Sequence, residues 1–411
     1  MKKILMIHTR ELCYYSGGFF LNQMAKQLEK QGVQVEQLEL SADDASYDQL
    51  QSYMGQRYDG VVDINSKLPY LTVDERKGEF WLDQLNAPFY NYILDHPLYH
   101  HPGLEFPLRN YHAIGIDREH CAYMKQYYPH LQSIEYLTVA GTPSVVKHPT
   151  SKRRIPILFA GSYEPEEVVL DQLHWRGEQI EGLGRAAIAI MLEKRDAKSF
   201  DQIGGRKEQN AKPRTEVRTL ESVVQELLRA DEFHALGEMD FPVLMNQLYP
   251  VDKYVRNYRR RTILEGLVEC KIPITIMGEG WEQTSLEDSP CVTRLPGRDY
   301  ARSVEMIADS KVLLDINPLF PCGIHDRVTN AMANHTLCVT NMSPKADIEL
   351  QHGRDLYYYQ QDNVEELAEI LNEIMNQKRS CAYEEMTGQA YEAYQNRYSW
   401  EAHTKTLLQM L

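Results

Sequence analysis

Two doubly wound α/β lobes, each built on a parallel sheet, are what this sequence predicts. Three observations carry the prediction. Apolar runs of strand length alternate with helix-length stretches at both ends of the chain, the rhythm of parallel strands joined by helical crossovers. The opening residues form one complete strand–helix–strand unit, and residues 312–343 form another. Between these halves, around Pro143–Pro156, the composition turns polar, basic and proline-bearing, as expected of a linker between lobes. A chain of 411 residues is long enough for each lobe to bury its own core.

In the first lobe, Ile4–Ile7 is a strand and Ser16-Gly17-Gly18 a turn. A helix follows over about Phe19–Gln31, closed by Gly32, and then a strand at Gln34–Leu38. Gly17-Gly18 lacks the GxGxxG spacing of a dinucleotide loop and is expected to turn the chain. Further strands are expected at Gly60–Ile64, Phe89–Leu94, Ala113–Ile116 and Ile134–Leu137. Asp95-His96-Pro97 ends the second of these, because proline cannot continue a central strand. Ile116-Asp117-Arg118-Glu119-His120 leads into a helix that ends near Tyr128-Pro129.

Beyond the linker, Ile157-Leu158-Phe159-Ala160 is a strand running into Gly161-Ser162. Residues 164–258 carry apolar positions at helical spacing, notably over Ser222–Ala230 and Phe241–Tyr249, and are expected to be a helical insertion in the second lobe. The charged stretch Gln202–Thr219 has too few apolar residues to be assigned structure. Tyr254–Cys270 is a predicted helix, Ile272–Met277 a strand ending at Gly278-Glu279-Gly280-Trp281, and Val292–Leu295 a short strand. Tyr300–Ala308, Val364–Asn376 and Tyr383–Leu411 are predicted helices. The division expected is 1–145, 155–390 with the insertion at about 164–258, and 391–411.

Composition excludes several classes of function. With 59 acidic against 44 basic residues the net charge is −15, unsuited to non-specific nucleic-acid binding. The seven cysteines, at 13, 121, 270, 291, 322, 338 and 381, are scattered and lack a CxxC pair, which points to reduced thiols and a cytoplasmic setting. Ile4–Ile7 is too short for the apolar core of a signal peptide, and no run approaches a membrane span. His96, His100 and His101 are read as solvated loop residues, and no metal is expected. The 26 tyrosines are read as core, and Arg259-Arg260-Arg261 as a solvated helix face.

The most informative segment is Val312–Ser343. A strand, Val312–Leu314, leads through Asn317, Pro318, Pro321, Cys322 and Gly323 to a helix over about His325–Ala333, and then to the strand Leu337–Thr340. His325, Asp326 and Arg327 stand where the helix begins, and backbone N–H groups and the helix dipole favour an anion such as a diphosphate there. Asp326 doubles as a helix cap in this reading.

This segment resembles the donor-binding region of glycosyltransferases of the GT-B fold, and more narrowly the spore-maturation-protein-like (CgeB-like) branch. The resemblance rests on Asn317-Pro318, His325-Asp326-Arg327-Val328, Ala331-Met332-Ala333 and the closing strand. Weaker echoes are the Asp95-His96-Pro97 and Ile116-Asp117 turns and the Gly161-Ser162 turn. It implies two Rossmann-like lobes and a terminal helix that crosses back to the first. It also implies a metal-independent transferase moving a hexosyl or N-acetylhexosaminyl group from a nucleotide sugar, expected to be a UDP-sugar, to a hydroxyl on a glycan or protein. Retaining members carry two glutamates eight positions apart, the later one on the donor ribose. Cys322 and Asn330 stand at those positions here.

The expected donor-binding residues are Gly161, Ser162, Gly278, Trp281, Asn317, Asp326, Arg327 and Asn330. His325 is expected to act on the phosphates. His96, oriented by Asp95, is the expected general base, since an imidazole titrates near neutral pH; Asp117 and His120 stand behind it. A non-catalytic nucleotide- or sugar-binding protein, or a sugar-nucleotide epimerase, fits the same pattern.

Overall fold

The computed structural model describes residues 1–9, 12–40, 48–74, 76–193, 218–317, 320–341, 349–376 and 380–411. Pro318, named above, and most of the charged stretch 202–219 lie outside them.

The first lobe is a six-stranded parallel sheet. Its strands are β1 (Lys3–His8), β2 (Gln34–Glu39), β3 (Gly60–Ile64), β4 (Phe89–Ile93), β5 (Tyr111–Gly115) and β6 (Ser133–Tyr136), in the order β2-β1-β3-β4-β5-β6. Strands β3 and β4 are buried along their whole length, because helices cover both faces of a parallel sheet. Helix α1 (Ser16–Lys30) places Phe20, Leu21, Met24, Ala25 and Leu28 on one stripe, and these pack on Ile4 and Met6. Gly32 follows with φ +80°, the left-handed conformation that ends the helix. Helix α2 (Arg118–Tyr127) is capped by Asp117, which accepts from the amides of Glu119 (2.7 Å) and His120 (3.3 Å).

The second lobe is also six-stranded and parallel. Its strands are β7 (Ile155–Ala160), β8 (Ile274–Met277), β9 (Val292–Leu295), β10 (Ser310–Asp315), β11 (Leu337–Asn341) and β12 (Tyr357–Tyr359), in the order β9-β8-β7-β10-β11-β12. The order reverses between β7 and β10, so their carboxyl ends flank the crevice where ligands of doubly wound sheets bind. Strand β12 had no expectation: three tyrosines are too short a run to show a period.

Between β7 and β8 runs a helical block: α3 (Glu166–His174), α4 (Glu178–Leu192), α5 (Leu220–Leu227), α6 (Phe241–Gln247) and α7 (Tyr249–Glu269). Helix α7 starts earlier than expected, with Pro250 in its first turn, a position where the missing N–H costs nothing. The block belongs to the second lobe in chain order, yet its apolar faces join the first lobe. Leu173, Leu183, Val223, Leu244 and Val255 share one buried cluster with Leu98, Leu104 and Met124.

The crossing at 137–154 is pinned by Arg153. This residue is buried, and its guanidinium donates to the carbonyls of Ser310 (2.8 Å), Asn334 (2.8 Å) and His335 (2.9 Å). Helices α8 (Tyr300–Ala308), α9 (Asp326–Ala333), α10 (Val364–Met375) and α11 (Ser380–Ala393) cover the second sheet. Helix α11 passes into a π-helical turn at Tyr394–Tyr398 and stops at the extended Ser399, where one continuous helix was expected, and Ser399 caps α12 (Trp400–Met410). Helix α12 returns to the first lobe: Trp400 and Leu407 enter its core, and the Tyr90 hydroxyl donates to the Met410 carbonyl (2.7 Å).

Candidate active site

The carboxyl edges of the two sheets face each other across a cleft of about 710 Å³. The first lobe lines it with Tyr14, Phe20 and Asp95, the second with Gly161, Ser162, His325, Asp326 and Arg327, and α7 with Arg256 and Arg260.

Arg327 leaves the first turn of α9. Its Nε donates to Asp315 Oδ1 (2.7 Å) and its Nη1 to the Ala160 carbonyl (3.0 Å). Nη2 is buried without a partner. Asp315 is 1 % exposed and also accepts from Thr340 Oγ1 (2.9 Å). Burial opposes its charge, but Arg327 and His325 prevail, and its pKa is lowered. The carboxylate therefore holds the guanidinium in one orientation with a donor to spare.

Arg256 and Arg260 lie one turn apart on α7, on the face that looks into the cleft. Arg260 Nη1 donates to the Ser162 carbonyl (3.2 Å), while its Nε is buried and unpartnered. Burial, then repulsion from Arg327 and Arg256, pushes its pKa well down. A guanidinium does not shed its proton in a protein, so that stress is a demand for an anion. At Arg256 burial also opposes the charge, but Tyr99, Asp252 and Asp95 outweigh it and the pKa is raised. The expected solvated face is thus corrected. Arg259 is buried and donates to the Met191 carbonyl (2.7 Å), Arg261 pairs with Glu166 (2.8 Å) and Glu265 (2.8 Å), and Arg260 faces the cleft. Sequence reasoning missed Arg256 and Arg260; their i, i+4 spacing was the available signal.

At the start of α9, His325 Nδ1 lies 2.6 Å from Asp326 Oδ1, and Tyr300 donates to Asp326 Oδ2 (2.5 Å). Burial would raise the Asp326 pKa, but His325, Arg327 and Tyr300 hold it well below the usual carboxylate range. Gly161 and Ser162 form the facing loop, where Ser162 Oγ meets the Tyr14 hydroxyl across the lobes.

Three expected donor contacts lie outside the cleft lining, and a fourth, Asn330, borders it with its polar groups engaged. Trp281 is fully buried, donates to the Gly161 carbonyl (2.7 Å) and stacks on Tyr163, so it supports the loop from beneath. Gly278, at φ +148°, packs its backbone against that of Gly161 behind the cleft, where a Cβ would overlap the Gly161 carbonyl. Asn317 lines a separate small hollow with Phe320 and Tyr358. Asn330 borders the cleft, but both its polar groups are engaged: Oδ1 accepts from the Thr142 amide (2.8 Å) and Nδ2 donates to Tyr300 (2.7 Å).

The expected base also sits differently. His96 is outside the cleft lining; its Nδ1 accepts from the Leu98 amide (3.0 Å) and its Nε2 meets Glu221 on α5. Both nitrogens are occupied, so it has no lone pair for an acceptor hydroxyl. Asp95 does line the cleft, with half its side chain open. Burial opposes its charge, yet His100, Arg256 and Asn65 bring its pKa down to about 2. Asp117 is fully buried, capping α2 and accepting from the Cys322 amide (2.8 Å) across the lobe junction, and His120 is buried beside His96. His96, His100 and His101 turn to Glu221, Asp95 and Glu105 respectively. Among the described residues no group of three or more His, Cys, Asp or Glu is placed to hold a metal, and no helix is long and apolar enough to cross a membrane.

Comparison with solved structures matches this architecture over the whole chain. An α-glucosyltransferase in complex with UDP-glucose and DNA containing an abasic site superposes with a TM-score of 0.55 at 13 % identity, over 99 % of this chain and 98 % of that one. Anabaena HepE, solved with UDP and glucose, gives 0.53 at 11 %, over 100 % and 99 %. T4 phage BGT, solved with UDP-glucose, gives 0.52 at 11 %, over 99 % and 98 %. The fold is GT-B. A glycosyl transferase-like family model matches residues 259–409, which run from α7 through the second lobe into the returning helix α12. No curated protein matches the sequence.

Proposed function

We propose that this protein is a glycosyltransferase that moves a sugar from a nucleotide sugar, a UDP-sugar, to a hydroxyl of a glycan or protein, without a catalytic metal. One observation carries the reading. Arg256, Arg260 and Arg327 converge on the cleft beside the N-terminus of α9, and two of them hold buried donors without partners. That is the complement of a diphosphate. The family match over 259–409, and the UDP or UDP-glucose bound by the GT-B proteins of like fold, support it. We place the protein in the CgeB-like branch and in the cytoplasm, with the chain divided at 1–145, 155–390 and 391–411.

In this mechanism the bond from the sugar's anomeric carbon to the diphosphate oxygen breaks as the bond to the acceptor oxygen forms. The guanidinium groups, His325 and the helix dipole stabilise the charge that grows on the departing diphosphate. Asp95 orients the acceptor hydroxyl. With a pKa near 2 it is a poor proton acceptor, so the acceptor hydroxyl's proton passes to the departing diphosphate, whose terminal phosphate titrates at about 6 and is the stronger base. Closure of the lobes keeps water from the donor.

Cys322 and Asn330, in place of the glutamate pair, favour a second reading: a binder without turnover. Calorimetric titration with UDP, followed by assay of free UDP released from UDP-glucose, separates the two. Binding with slow release supports a transferase; binding with no release, whatever the acceptor supplied, supports the binder; no binding rejects both.

A further inference from the structure

One side chain of the first lobe reaches across the cleft. Tyr14 lies in the turn Cys13–Tyr15, between β1 and α1, and lines the cleft. Its hydroxyl meets Ser162 Oγ, and its ring lies against Gly297, in the loop between β9 and α8, where an added Cβ would overlap the ring. Both contacts are with the second lobe. Gly297 is itself held in place, its amide donating to Glu279 Oε1 (2.7 Å).

The loop that Tyr14 grips also anchors the cations of the cleft. Arg327 Nη1 is fixed on the Ala160 carbonyl (3.0 Å) and Arg260 Nη1 on the Ser162 carbonyl (3.2 Å). A diphosphate that satisfies the remaining N–H groups of these two arginines comes down beside residues 160–162, where Ser162 offers its hydroxyl. Tyr14 already holds that hydroxyl.

The backbone beneath Tyr14 is strained. Tyr14 and Tyr15 both have φ +60°, two successive bulky residues in the left-handed region, which such residues enter rarely and singly. Tyr15 gains little packing in return, being 71 % exposed. Such a conformation persists only where surrounding contacts impose it. On the cleft side, those contacts are the ones Tyr14 makes with Ser162 and Gly297.

We infer that Tyr14 is a bolt across the cleft: its hydroxyl competes with the donor's phosphate for Ser162, and withdrawing it relieves the left-handed turn at Tyr14-Tyr15. The identity of the displacing ligand rests on the transferase reading; the bolt itself does not. The affinity measured for a donor is then the intrinsic one reduced by the fraction of molecules whose bolt is drawn.

Calorimetric titration of the full-length protein with UDP, and separately with inorganic pyrophosphate, tests this by the sign of three substitutions. Tyr14→Phe keeps the ring and loses the bond to Ser162, so it should bind both probes roughly two- to tenfold more tightly than wild type. Tyr15→Asn tolerates the left-handed turn, favours the bolted form and should bind both more weakly. Tyr15→Val, whose branched side chain tolerates that turn least, should bind both more tightly. Weaker binding by Tyr14→Phe would make the phenol a direct ligand of the donor and overturn the inference, and so would unchanged binding. Shifts of the same sign in both Tyr15 variants, or none, would also overturn it, since the turn would not be coupled to the cleft. Pyrophosphate bound more tightly by Tyr14→Phe, with UDP bound by neither protein, keeps the bolt and rejects the nucleotide reading. No binding of either probe to Tyr14→Phe rejects both.

Discussion

Arg260 and Arg327 each keep a buried N–H without a partner in the cleft, and each should gain one when a diphosphate binds. Arg260→Ala and Arg327→Ala should each raise the UDP Kd by roughly ten- to a hundredfold, the loss of about 1.5–3 kcal/mol of charge-assisted bonding. Arg261→Ala, which breaks pairs with Glu166 and Glu265 instead, should leave the Kd within about twofold. Calorimetry decides between them, and equal losses in all three variants would mean a distributed field rather than a site. His96 makes a different prediction. Burial lowers its pKa, but Glu221, Asp252 and Asp117 outweigh that and raise it above the ordinary value, while His96 brings Glu221 down to about 2 against burial. The stabilisation from a raised histidine is complete below its unfolded value of about 6.5 and is lost as pH climbs through the folded one. That from the lowered Glu221 is complete above about 4.3 and lost as pH falls through about 2. His96→Asn should therefore lower Tm most between about pH 4.5 and 6.5, by the equivalent of roughly 3 kcal/mol, since it leaves Glu221 buried and unpaired. A variant with unchanged Tm and a hundredfold loss of turnover would return His96 to the role of base.

At the scale of elements, the lobes meet backbone to backbone. Gly141, in the crossing, donates its N–H to the Tyr398 carbonyl (2.8 Å), and a Cβ there would overlap the carbonyl oxygen of Thr329 on α9. Gly323 is similarly close to the Ile116 carbonyl, at 2.6 Å from an added Cβ. Neither contact can relax by moving a flexible side chain. Gly141→Ala should pry α9 from the crossing, lowering Tm and turnover together while the far-ultraviolet dichroism of both sheets persists. Turnover at the wild-type level would show that the junction yields without harm to the site. Elements with a clear period were legible in the sequence, α1 and β3 among them. What escaped was β12, with no period to read, and the break between α11 and α12 at Ser399, which no proline or glycine marks.

Over the whole molecule, the helical block shares its core with the first lobe while its ends emerge from the second. The two lobes should therefore melt together. Scanning calorimetry should record one transition, raised by UDP through mass action, by about 2.7 kcal/mol at a hundred times Kd. Two separated transitions would show that the block does not couple the lobes. The proposed site draws its positive charge from three guanidinium groups and a helix terminus, so turnover should survive EDTA. Activity abolished by the chelator and restored by magnesium or manganese would refute metal independence.

The sequence by itself determined the two parallel-sheet lobes, most of their strands, and His325-Asp326-Arg327 at a helix start, because these depend on local period and on polar residues at strand ends. Only the tertiary structure decided which cations face the cleft. Arg256 and Arg260 lie some seventy residues before Arg327, in a run of arginines whose burial the local pattern does not reveal. It also moved His96 and Trp281 out of the cleft and spent both polar groups of Asn330 on neighbours. The physical reason is common to all five. A side chain's chemistry is fixed by its residue type, but whether its hydrogen bonds are free for a ligand is fixed by distant backbone that folding brings to its side.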